Sequence, residues 1–213
     1  HSALSKVQVR RALSLAVDRT EALKLIGEGE LISGPFTLSS RYYNHDVPVP
    51  VQNIDEASRL MRDAGYEKNG AQWTTKGGQP INIRFFYDEA MSDEGQTVAT
   101  NIVGQLKAFG IAVSDPVSFG GDLWDERIMT RRDFDMVMGQ WSFDVNEDIG
   151  QLFRRNGVSN FVGYSDSRTD ELLDGAYKSQ DPSEQQAFMK AIHQRLSVTQ
   201  PYIFQWSLRN FSA

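Results

Sequence analysis

Carboxylates crowd one stretch of this chain, where Asp133, Asp135, Asp144, Glu147 and Asp148 fall within sixteen positions. Paired carboxylates can do general acid–base work or hold a divalent cation. Their spacing matches no EF-hand loop, and the strand expected between them separates Asp133 and Asp135 from Asp144. In the same stretch, Trp141-Ser142-Phe143-Asp144 joins aromatic surface to a single carboxylate. That combination suits a ligand with an apolar body and a positively charged amine. The carboxylate would supply a charge-assisted hydrogen bond and the indole a stacking or cation–π face. A core tryptophan beside a helix-capping aspartate fits these four residues equally well.

Other reactive side chains are sparse. His45 lies in the loop SRYYNHDVP, and His193 sits between Ile192 and Gln194. Neither has metal-ligand spacing, and both read as surface or partly packed histidines. The glycines of Phe119-Gly120-Gly121 could offer an anion site at a helix start, but Asp122 would repel the anion, so a tight turn is the expectation. No GxSxG, P-loop or dinucleotide fingerprint is present. No catalytic residue, cofactor or metal is expected.

The elements that must position these residues follow from periodicity. Val9, Ala12, Leu13, Ala16 and Val17 predict a helix over 6–17. Asp18 with Glu21 and Asn53 with Glu56 read as capping boxes for two more helices, which end near Gly27 and Gly65. Between them, 28–52 is a long loop, and such loops are more often functional than idle. Gln72–Thr75, the turn Lys76–Gln79 and a strand from Ile81 to Tyr87 come next. A helix over 93–109 precedes a strand over 111–117 that Pro116 marks as an edge or an ending. Asp122 is expected to cap a short helix, and residues 134–141 read as a buried strand. Strand, helix, strand, helix, strand is the order of parallel strands with crossover helices, hence an α/β sheet. Ligands of open sheets sit beyond the carboxyl ends of their strands, here Tyr87-Asp88, Phe119–Gly121 and Trp141–Asp144. The last third reads as two helices and a strand. Leu172, Leu173, Ala176 and Tyr177 mark the first helix. Asp181-Pro182-Ser183-Glu184 opens the second, with Ala187, Phe188, Ala191, Ile192 and Leu196 as its core face. Tyr202–Leu208 is the final strand.

Bulk properties exclude several classes. The 213 residues suit one compact domain, with 40% hydrophobic and 23% charged residues, a net charge of -6 and no cysteine. Disulfide scaffolds and thiolate sites are thereby ruled out. Basic residues are scattered, so nucleic acid and anionic membrane are poor partners. No apolar run is long enough for a spanning helix. The chain opens HSALSKVQVRRAL without a starting Met and reads as an excised piece of a longer protein, so the missing leader says nothing of export.

Several segments, in order, resemble one family. VQVRRALSLAVDRTEAL is similar to the opening of the second lobe in family 5 extracellular solute-binding proteins, the peptide and nickel binders of ABC importers. NIDEASRLMRDAGY, INIRFFYDE with NIVGQLKAFGIAV, DFDMVMGQWSFDVNED, SNFVGYSDSRTDELLDGA and QPYIFQWSLRN resemble its later segments, so the likeness covers nearly the whole chain. The resemblance implies a lobe like those of type II periplasmic binding proteins, with a mixed, mostly parallel sheet flanked by helices. Residues 1–213 would be the C-terminal ligand-binding lobe, and the N-terminal lobe of the same chain is missing. Closure of two lobes on a peptide or similar solute would then be read by ABC permease subunits in the membrane. The receptor would be periplasmic, or extracellular and lipid-anchored. Asp144 stands where peptide-binding members pair with the ligand's α-amino group, Trp141 and Phe143 would line the wall, and Ser142 and Asn146 complete the candidate site. The family often continues with Asp-Pro where this chain has Glu147-Asp148, which puts the loop after Asp144 in question. A carboxylate-dependent hydrolase and a solute-sensing module are the alternatives.

Overall fold

A computed structural model describes residues 3–143 and 146–208, except for the side chains of Ser92 and Asp93. The chain divides into two compact units. One holds the residues up to Glu28 together with Pro50–Gln140, and the other holds Gly29–Val49 and the residues from Trp141 onward.

The first unit begins with α1 (Val7–Ala16), where Val9, Ala12, Leu13 and Ala16 are fully buried at helical spacing. Asp18 caps α2 (Arg19–Ile26) by accepting from the amides of Thr20 at 2.9 Å and Glu21 at 3.2 Å. Gly27 ends α2 at φ +91, a backbone angle that side chains disfavour. The chain then enters the second unit, which holds β1 (Glu30–Leu31). On its return, the Gln52 side chain and the Asn53 amide donate to the carbonyls of Ala16 and Leu15. These carbonyls would otherwise be orphans at the end of α1. The Asn53 side chain caps α3 (Ile54–Asp63), which packs Ala57, Leu60 and Met61 against α1.

An antiparallel hairpin follows, β2 (Tyr66–Asn69) with β3 (Gln72–Thr75), whose Trp73 is buried against Phe109. The strand predicted over 81–87 is split into β4 (Asn82–Ile83) and β5 (Phe85–Asp88). Side chains replace ladder partners at the break. The Arg84 amide donates to Asp135 Oδ2 at 2.9 Å, and the Phe85 amide donates to Ser114 Oγ at 3.0 Å. After α4 (Ser92–Phe109), the strand predicted over 111–117 is likewise divided, into β6 (Ala112–Val113) and β7 (Val117–Phe119). Pro116, which has no N–H to give a ladder, lies in the gap.

All pairings in this sheet region are parallel: β4 with β6, and β5 with both β7 and β8 (Met136–Met138). The fold is therefore mixed α/β, as expected. Two local expectations need correction. Gly120, not Asp122, is the N-cap of α5 (Gly121–Trp124), and Asp122 sits in its first turn. The helix then runs on through a wider turn in which the Arg131 amide reaches back to Glu126 O. Residues 134–141 supply only the three-residue β8, which is half-buried because β5 takes the centre of the three-strand ladder.

The second unit is mostly helical: α6 (Gly150–Phe153), α7 (Ser167–Lys178) and α8 (Pro182–Thr199), with β9 (Trp206–Ser207) pairing antiparallel to β1. Its core joins Leu172, Leu173 and Ile192 from the helices to Phe36, Tyr42 and Tyr43 of the long loop, which is thus a packed layer of the unit. Asp181 caps α8 through the Ser183 amide, and Asp166 caps α7 through the Thr169 amide. Asp166 also accepts two bonds from Arg195, at 2.6 and 3.0 Å. Those bonds, with the help of Thr169, draw its carboxyl down to about 2.

The α8 core face differs from its prediction at three positions, because Ala187 is exposed while Met189 and His193 are buried. His193 is therefore neither a surface nor a partly packed residue. Its Nδ1 accepts from the Asn44 amide at 3.0 Å, which places the proton on Nε2, 3.0 Å from Ser33 Oγ. Ser33 Oγ in turn donates to Val47 O at 2.9 Å and accepts from Tyr43 Oη at 2.8 Å. Every polar atom of this buried cluster has a partner when the imidazole is neutral. Burial holds the imidazole pKa down at about 4. Gly34 lies flat against the ring, and a Cβ there would overlap it.

Candidate functional site

The chain leaves β8 at Met138, passes Gly139 and Gln140, and joins the second unit at Trp141. Trp141 is three residues past the strand rather than its last residue. It is 42% exposed, and its indole lies nearly parallel to the Phe161 ring, with centroids 5.9 Å apart. Phe161 is buried and sits on a turn braced by Asn160. The Asn160 carboxamide accepts from the Tyr164 amide at 2.9 Å and donates to Tyr164 O at 2.7 Å. A half-exposed indole backed by a fixed ring is a flat, polarisable face on which an apolar or cationic group can stack.

Of the other predicted site residues, Ser142 is exposed, while Phe143 is half-buried and packs against the core of its unit. Asp144, together with Val145, lies outside the described residues. Asn146 is exposed in the turn that follows. Glu147 adopts a left-handed backbone at φ +48, and its carboxylate accepts from Ser40 Oγ at 2.6 Å. Asp148 accepts from the Gly150 amide at 2.9 Å and from the Tyr177 hydroxyl. Although Tyr177 is 42% exposed overall, burial of its hydroxyl end and then the bond to Asp148 push its pKa up.

The remaining carboxylates of the cluster are spent on structure. Arg84 donates to Asp133 at 2.6 Å and to Asp135 at 3.0 Å, and Arg127 lies 3.6 Å from Asp133. Burial pushes the Asp135 carboxyl up, yet the bonds from the Arg84 side chain and backbone together hold it below the ordinary range. A group tied to arginine in this way is a poor proton donor near neutral pH.

Sequence reasoning missed Phe161, Ser40 and Tyr177. SNFVGY does carry the asparagine–aromatic signal that leads to Phe161. Nothing local marks Ser40 or Tyr177, whose partners lie 107 and 29 positions away.

Residues 1–161 match the model of the bacterial extracellular solute-binding proteins, family 5, middle, and the chain belongs to this family. It is 27% identical over 215 residues to the oligopeptide-binding protein AppA of Bacillus subtilis, covering 97% of this chain and 39% of that protein. Protein XP55 of Streptomyces lividans is 26% identical over 207 residues, covering 92% of this chain and 36% of XP55. The chain thus spans about two-fifths of the length of these relatives. Among solved structures, the fold is similar to that of B. subtilis AppA in complex with a nonapeptide, with a TM-score of 0.88 at 24% identity over 98% of this chain and 43% of AppA. It is also similar to that of NikZ from Campylobacter jejuni in complex with Ni(L-His), with a TM-score of 0.81 at 18% identity over 98% of this chain and 43% of NikZ.

Proposed function

We propose that this chain is the C-terminal ligand-gripping lobe of a periplasmic, or extracellular and lipid-anchored, receptor that hands peptides or similar small solutes to an ABC importer. The observation that carries this reading is the exposed Trp141 indole stacked on buried Phe161, in a chain of the solute-binding family whose relatives include an oligopeptide binder. Binding rather than hydrolysis is supported by the hold of Arg84 on Asp133 and Asp135 and of hydroxyls on Glu147 and Asp148. Trp141 offers the stacking face, Asp144 anchors a ligand amine by charge, and Ser142, Phe143 and Asn146 flank them. A second lobe in the longer protein supplies the facing contacts. Ligand touching both lobes favours the closed receptor, which the permease subunits engage.

The test is ligand-induced thermal stabilisation of the full-length receptor by pools of di- to pentapeptides with free or acetylated amino termini, alongside sugars and opines. Stabilisation by free-amine peptides that is lost in Asp144→Ala and reduced in Trp141→Ala is the expected result. Stabilisation by sugars alone, indifferent to Asp144→Ala, removes Asp144 as an amine anchor. No response to any peptide overturns the peptide reading.

A further inference from the structure

Residues 147–150, which follow the candidate site residues, are fastened by bonds that bind no ligand themselves. Ser40 Oγ donates to Glu147 Oε2 at 2.6 Å and accepts from the Tyr42 amide at 3.0 Å. Ser40 is itself held, since its amide donates to Thr37 O and its carbonyl accepts from the Tyr43 amide, and Tyr42 and Tyr43 just after it are buried. On the other side, Asp148 bridges the Gly150 amide and the Tyr177 hydroxyl. Gly150 has no room for a Cβ beneath that hydroxyl, and Ile149 is fully buried between the two anchors. Glu147 holds a left-handed backbone that L residues rarely adopt and that a glycine would fill more easily. A strained residue persists where its surroundings over-determine it, and here its carboxylate is seated on the hydroxyl of a loop packed into the core.

We propose that Ser40 and Glu147, supported by Asp148 and Tyr177, are positioning residues that set the exit of the binding segment and thereby the placement of Asn146 just before it. The ligand arm of this inference rests on the function proposed above, whereas its structural arm does not. A site held in advance loses less free energy to ordering when ligand arrives. Breaking the Ser40–Glu147 bond should free the turn without unfolding the unit, because the Asp148–Tyr177 anchor and buried Ile149 remain.

The experiment measures hydrogen–deuterium exchange of amides 146–150 in the ligand-free, full-length receptor, followed by calorimetric binding of a free-amine pentapeptide pool. Glu147→Ala and Ser40→Ala should each speed exchange about tenfold and weaken pentapeptide binding by a similar factor, with an unchanged melting temperature. The double variant should match either single one. Glu147→Gln, which keeps an oxygen acceptor for Ser40, should stay within about twofold of the parent, and Glu147→Gly should open like Glu147→Ala despite its easier backbone. Unchanged exchange in Glu147→Ala and Ser40→Ala, or a Gln variant as open as the Ala variant, overturns the proposal. A parent receptor that ignores pentapeptides refutes the peptide reading alone, and the exchange arm still decides the positioning role.

Discussion

Acidification should loosen the second unit through one residue, His193. In the fold its imidazole is neutral, with Nδ1 accepting from the Asn44 amide and Nε2–H directed at Ser33 Oγ. Protonation would point a second N–H at the Asn44 donor and place a charge among Phe36, Tyr43 and Gly34. Burial therefore lowers its pKa from 6.5 to about 4. Because the folded pKa lies below the unfolded one, this contribution is complete above pH 6.5 and is lost as pH falls toward 4. With 1.36 kcal/mol per unit, the loss between pH 7.5 and 4.5 is on the order of 2–3 kcal/mol. Carboxylates titrate toward the lower end of this window, so the His193 share is isolated as the difference between the parent and His193→Gln, which cannot titrate. The assay is the opening free energy of α8 amides from hydrogen exchange at pH 7.5, 6.0 and 4.5, corrected for intrinsic rates. The parent should lose on the order of 2–3 kcal/mol relative to the variant over that range, and the His193 proton resonance should stay unshifted down to about pH 5. A difference that stays flat with pH, or an imidazole that titrates between pH 6 and 7, refutes the reasoning.

Two further outcomes follow from neighbouring contacts. Gly34→Ala should destabilise the same unit by about 2 kcal/mol by driving a methyl into the His193 ring, and His193→Ala should recover most of that loss; calorimetric melting of the single and double variants checks both. Asp166→Ala removes the cap of α7 and the Arg195 bonds together and should cost about 2 kcal/mol at pH 7, discounted for the part-exposed arginine. Since the Asp166 carboxyl is drawn down to about 2, that difference should persist at pH 5 and fade only as pH drops from about 4 toward 2, as acid unfolding curves of the two proteins would show.

Features set by neighbours in the chain were legible before the structure. The caps at Asp18, Asn53, Asp166 and Asp181 are all formed with amides two or three positions on, a distance at which residue type alone decides the geometry. Of these, only Asp166 went unread. Most helix faces, and the order of strands and crossover helices along the chain, were equally readable, because burial follows the 3.6-residue and two-residue periods. Illegible features depend on distant partners. Two strands read as continuous are broken where Asp135 and Ser114 take the place of backbone partners for Arg84 and Phe85. His193 looks like a surface residue among Gln194 and Lys190 until Gly34 and Ser33, some 160 positions earlier, close over it. Within the candidate site, Trp141 stood out by its type, but its footing on Phe161 did not.

The interleaving of the two units sets a timetable for folding. The stretch 29–49 is made well ahead of its partners, because its aromatic residues bury themselves against helices that begin only at Gly150 and end at Thr199. Ser33 and His193 are 160 positions apart. At roughly 5–20 residues per second, Phe36, Tyr42 and Tyr43 wait on the order of ten to thirty seconds after synthesis for the partner that covers them. During that interval the first unit has nearly all of its own chain once Gln140 has emerged, whereas the second is an apolar segment without a core. Residues 29–49 are therefore exposed to aggregation until α8 arrives, and slowing translation beyond residue 140 should lower the yield far more than slowing it before residue 29.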